Sequence, residues 1–120
     1  MSFVLAPREV IKSVVKATEP LDFGKTKKHE IEVHWKVLSV EQIREYQERL
    51  KEGGEKDADL LLELAVDIPG VKTPDGQELS FGVELVHQLM NIEYVRKAFS
   101  DEIADILYGK DFMKRVRAKN

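Results

Sequence analysis

Cysteine is absent from this chain of 120 residues, which removes disulfides, thiolate metal centres and cysteine nucleophiles together. No stretch approaches the ~18 consecutive apolar residues that cross a bilayer. Met1 to Ala6 lacks a basic start, and Arg8, Glu9 and Lys12 interrupt any apolar leader, so no secretory signal is expected and the protein is expected in the cytoplasm. Aromatic residues make up only 8%, which predicts an aliphatic core. Basic charge is in short supply, with 19 Lys and Arg against 22 Asp and Glu. The resulting net charge of −3 disfavours a general nucleic-acid binder, which needs a basic face to displace counterions. GxGxxG, GxxxxGK[ST] and GxSxG are all missing, so dinucleotide, P-loop and nucleophile-elbow chemistry has no foothold.

What is present describes a globular domain: 42% apolar and 34% charged residues in a single-domain length. The charge is divided unevenly. Residues 110–120 contain Lys110, Lys114, Arg115, Arg117 and Lys119 against Asp111; the total of −3 less this tail's +4 leaves −7 for residues 1–109. The organisation expected is one α+β domain over 1–109 and a basic C-terminal tail over 110–120. Such a tail is either a solvated end or a docking element for an acidic surface, where Phe112, Met113 and Val116 supply the apolar side of a short helix.

Along the chain, HEIEVHWKVL from His29 to Leu38 alternates with period two. Ile31, Val33, Trp35 and Val37 face one way and Glu30, Glu32, His34 and Lys36 the other, the pattern of a half-buried strand. Ser13 to Thr18 is β-branched enough to pair with it, with Pro20 to Lys28 as the loop, although Val10, Ile11, Val14 and Val15 also suit a short helix opened by Pro7. Ser39-Val40-Glu41-Gln42 reads as a capping box opening an amphipathic helix that Gly53-Gly54 stops. Asp57 to Val66 is apolar around most of a helical circumference and ends at Pro69-Gly70. Phe81, Leu85, Val86 and Leu89 line a third helix, capped by Ser80. Asn91 interrupts it, and Ile92, Val95, Phe99, Ile103 and Ile106 continue as a fourth, closed by Gly109. The fold class expected is α+β and mainly helical: an N-terminal β-hairpin followed by about four helices in a small bundle.

Chemistry is hard to assemble from these parts. His29 and His34 lie on opposite faces of one strand, and His87 has Val83 and Asn91 as its helical neighbours, so no histidine pair shares a metal. Glu30 and Glu32 share a strand face but sit beside His34 and Lys36 on the solvent side. Glu63 and Asp67, four apart beside the most apolar helix, are better placed for a raised pKa, and an enzyme reading would need a closed pocket around them. In TPDGQE, setting Gly76 at position 6 of a calcium loop puts Val71 at position 1 and Gly82 at position 12, which excludes an EF-hand. Pro74-Asp75-Gly76 is a turn signal instead, within a small hairpin through Lys72 and Glu78. The expected sites are therefore neither catalytic nor metal- nor cofactor-binding.

The order of a β-rich start, VHWKVLSVEQIREY, an apolar helix, and VDIPGVKTPDGQELSFGVELVHQLMNIEYVRKAF resembles the tail assembly chaperones of long-tailed bacteriophages. Val66, Gly70, Val71, Asp75, Gly76, Leu79, Phe81, Leu85, Leu89, Val95 and Ala98 sit on the family's pattern, over roughly residues 29–107. Ile68-Pro69 stands where the family has an aromatic residue, and Ser80 precedes Phe81 where the family's serine follows. The resemblance implies a phage or prophage protein of the host bacterial cytoplasm, without catalytic residues, that binds the helical tape-measure protein and self-associates during tail morphogenesis. The partner-binding residues expected are Phe81, Leu85, Leu89, Ile92, Val95, Phe99 and Ile103 on the helical stripes, with Lys110, Phe112 and Arg115 in the tail. No membrane partner is expected. The competing reading is a small bacterial adaptor or regulatory protein that engages nucleic acid or an acidic partner through the basic tail.

Overall fold

The structure, a computed structural model, describes residues 2–109. Strand β1 (Val10–Pro20) and strand β2 (Thr26–Lys36) form a long antiparallel hairpin in which Val10 lies opposite Lys36 and Pro20 opposite Thr26. The alternation read from the sequence for His29 to Leu38 holds along β2 as far as Lys36, and β1 matches it from Ser13 to Ala17. Ser13, Val15 and Ala17 share the inner face with Ile31, Val33 and Trp35, and Val15, Ala17, Val33 and Trp35 are buried. Val37 departs from that pattern: the strand ends at Lys36 and the Val37 side chain is 41% exposed. The short helix after Pro7 does not form, because Val10, Ile11, Val14 and Val15 belong to β1, whose β-branched side chains suit the pleat.

Helix α1 (Val40–Glu52) opens with the expected capping box. The Gln42 N–H donates to the Ser39 hydroxyl at 3.2 Å, and the Ser39 N–H donates to the Gln42 side-chain carbonyl at 2.9 Å. Helix α2 (Asp57–Leu64) is shorter than its apolar run suggested. The chain extends at Ala65, and Ala65–Asp67 becomes strand β3, antiparallel to β2 with Ala65 opposite Trp35 and Asp67 opposite His34 around a bulge. The sheet therefore has three strands in the order β1-β2-β3, and the architecture is mixed α+β; the expectation of a lone hairpin in a mainly helical fold is corrected. Periodicity could not separate the two states here, since a short apolar run serves a buried helix and a buried strand equally.

From Gly70 to Ser80 the chain makes the small hairpin expected from its turn residues. Lys72 bridges Glu78, the Leu79 N–H donates to Val71 O at 2.8 Å, and Gly76 supplies a φ of 88° that other residues resist. Helix α3 (Val83–Met90) then begins with Gly82 at the N-cap position and no side-chain cap, so Ser80 does not fill that role. Helix α4 (Glu93–Tyr108) follows the break at Asn91 and ends at Gly109, whose φ is 82°.

The core lies between the inner face of the sheet and helices α2, α3 and α4. Leu60, Leu61, Leu64, Ile68, Val86, Phe99 and Leu107 are all but sealed from solvent, and Phe99 meets the edge of Trp35 at a centroid distance of 6.5 Å. Burial of each large side chain contributes about 1.5–3 kcal/mol. The Trp35 indole N–H donates to the Ser13 hydroxyl at 2.8 Å, so the one tryptophan is buried with its polar atom satisfied. Helix α1 has no fully buried residue; Tyr46 and Leu50 only rest against this core.

Candidate interaction surface

The structure places most of the helical stripe inside the subunit. Leu85, Leu89, Val95, Phe99 and Ile103 are core residues between 0% and 7% exposed, so as surface partner contacts they are corrected. Their 3.6-residue spacing is that of any helix face turned toward a core, and the sheet and α2 supply enough area to cover it. Phe81 is half-buried against the same core, while Ile92, at the N-cap of α4, is 42% exposed. Lys110, Phe112 and Arg115 lie outside the described residues.

The ionisable groups resolve into pairs. Glu63 is gripped by Arg49, which also holds Glu55 at 2.8 Å. Hydrogen bonding from Arg49 holds the Glu63 carboxyl below its ordinary value and outweighs the desolvation that acts the other way. Asp67 has left the helix for β3, so the two carboxylates no longer share a helical face. Burial raises the Tyr46 hydroxyl, assisted by the Glu63 charge. His29 Nε2 lies 2.7 Å from Glu19 Oε1 and its ring stacks on Tyr94, whereas His34 Nε2 lies 2.5 Å from Glu32 Oε2 on the other face. In the turn, the Thr73 hydroxyl donates to Asp75 and holds its carboxyl low, while Glu78 accepts from the Gly70 N–H. Among the described residues no three His, Asp or Glu side chains are grouped so as to hold a metal ion.

Apolar chemistry dominates the exposed surface in three places. The N-terminal segment exposes Phe3, Val4 and Leu5; the outer surface of β1 exposes Val10 and Val14; and the hairpin tip exposes Leu21 and Phe23, the latter at 98%. The tip is well built. The Leu21 N–H donates to Lys25 O at 2.7 Å and the Lys25 N–H to Asp22 O at 3.2 Å, closing a single 3₁₀ turn over Asp22–Gly24. Within it Phe23 takes φ 58° and ψ 34°, a left-handed conformation rare for a bulky side chain, followed by Gly24 at φ 75°. The side chain thus stands in solvent on a backbone that disfavours it. Sequence reasoning assigned Pro20 to Lys28 to a loop and overlooked the one available signal, two large apolar residues inside an otherwise polar turn.

Comparison with protein families, with curated proteins and with solved structures finds no match to this chain.

Proposed function

We propose that this protein is a tail assembly chaperone of a long-tailed phage or prophage, which holds the apolar surface of a tape-measure protein in the host cytoplasm and self-associates on it. The sequence resemblance supplies the family. The observation that supports the reading physically is Phe23, fully exposed at the end of a hydrogen-bonded hairpin in a conformation that costs a lone subunit stability. An exposed phenylalanine held against its backbone preference suits capture of another apolar chain, and no bond chemistry is asked of the site. The client surface therefore shifts from the helical stripes, which form the core, to the hairpin tip and the neighbouring Leu21.

Co-expression with a tape-measure protein, if the neighbouring genes encode one, tests the proposal. The full chain keeps that client in the soluble fraction, and Phe23→Ser lets it sediment while the chaperone itself stays folded. A client equally soluble with and without the chain contradicts the reading.

A further inference from the structure

The sheet leaves a strand position open beside β2. At both ends of the hairpin the bonded pairs are odd-numbered: Leu21 with Lys25 at 2.7 Å and Val37 with Glu9 at 2.9 Å. In an antiparallel ladder such pairs alternate with pairs whose N–H and C=O groups point away, so Lys28, Glu30, Glu32 and His34 turn theirs to the far side of β2. Strand β3 reaches only His34 and Trp35. Among the described residues no loop hydrogen bond reaches the backbone of Glu30 or Glu32. Beside them runs a groove of about 210 Å³ bounded by Ile31, Pro69, Val71, Leu89 and Val95. Its lining is mostly apolar on the core side, joined there by His29 and Tyr94, and carries Glu30 and Glu32, the latter paired with His34, on the solvent side. The opposite edge of the sheet differs: β1 carries Lys12 and Lys16 along it and ends in Pro20, features that discourage strand pairing.

We propose that this groove receives the Arg115-Val116-Arg117 segment of a second copy of the chain, laid along β2 as an added strand. The pattern fits in either strand direction: Val116 covers Ile31 while the two arginines flank Glu30 and Glu32, opposite charges at cross-strand distance. The tail carries +4 and the rest of the chain −7, so long-range attraction acts the same way. Reach decides in favour of a second copy. From the level of Val95, which borders the groove, α4 runs about 21 Å to Gly109. The six steps from Gly109 to Arg115 span about 20 Å when fully extended. A tail returning within one subunit would have to reverse at Gly109 and use all of that reach with no slack, whereas a neighbour's tail has no such limit. This inference rests on the self-association part of the proposed function and not on client capture, so its test uses no client.

The test is charge exchange in the full chain, read by sedimentation velocity from micromolar to millimolar concentration. Wild type associates as concentration rises. Glu30→Lys with Glu32→Lys, and separately Arg115→Glu with Arg117→Glu, each weaken association by roughly tenfold or more, and an equal mixture of the two variants restores it. Val116→Pro, which removes a backbone donor and leaves the charge alone, weakens association comparably. A wild-type chain that stays monomeric, variants that associate as wild type does, or a mixture that fails to recover would overturn the proposal.

Discussion

The Arg49 guanidinium spans helices α1 and α2 by donating to both carboxylate oxygens of Glu63, from Nη1 at 3.1 Å and from Nη2 at 2.8 Å. The same guanidinium lies over the Tyr46 ring at 4.9 Å and takes up Glu55, so one side chain joins the last turn of α1 to the linker before α2 and to the end of α2. Since α1 buries nothing completely, its attachment combines the partial packing of Tyr46 and Leu50 with this clamp and with Gln47, whose amide donates to Leu107 O at 2.6 Å. Arg49→Met is therefore expected to loosen α1 selectively. Amide exchange of residues 43–52 speeds up while that of β2 and α4 is unchanged; uniform acceleration across the molecule would show that the clamp supports the whole fold instead.

Acid should act through the same contact. Glu63 has a folded-state pKa below its ordinary 4.5, so its contribution to stability is complete above that value and is lost as pH falls through the lowered one. The carboxylate side chain is 42% exposed, so solvent screens the pair and the effect is modest. Glu63→Gln is expected to lower stability at pH 7 and to flatten the fall on the acid side of 4.5. Urea denaturation at a series of pH values checks this, and parallel curves for variant and wild type would contradict it.

Truncation of the inward stripe should unfold the protein before it affects any interaction. Phe99→Ala is expected to cost about 3–5 kcal/mol and Leu89→Ala about 2–5 kcal/mol, because each opens a cavity in a filled core. Against the roughly 5–15 kcal/mol of a domain this size, the first leaves little margin. Chemical denaturation measures both. A Phe99→Ala protein as stable as wild type would mean that the helices do not pack on the sheet as described.

The hairpin tip should behave in the opposite way. Phe23→Asn places a residue that tolerates the left-handed region where a bulky one stands, and the change removes no core contact. Stability is expected to rise by roughly 1 kcal/mol as that strain is relieved, while client binding falls. A loss of stability in thermal denaturation would show that Phe23 serves the fold.

Much of this fold was legible wherever a local rule acted alone. Alternation from His29 to Leu38 gave most of β2 (Thr26–Lys36) and its inner face, the Ser39 to Gln42 box gave the start of α1, and Pro74-Asp75-Gly76 gave a turn whose bridge joins the two residues expected. Sequence reasoning failed where tertiary context decided. Leu64 to Asp67 has no period of its own, and β3 forms there because β2 offers an edge beside His34 and Trp35. The apolar positions of α3 and α4 announced a buried face correctly, but spacing could not say whether the cover is the chain's own sheet or a partner. At the tip, Phe23 went unnoticed because turn chemistry is read from glycine, proline and aspartate, and its φ is visible only in the folded chain.

The measurement that bears most directly on a function of holding another polypeptide is an amide-exchange footprint of the full chain with and without the proposed tape-measure client. Protection gained over Leu21 to Lys25 at the hairpin tip, with α3 and α4 already slow and unaltered, is the predicted result. Protection gained along Leu85 to Ile103 while the tip stays unchanged would mean that the helices open to receive the client, contradicting the assignment of those residues to a closed core.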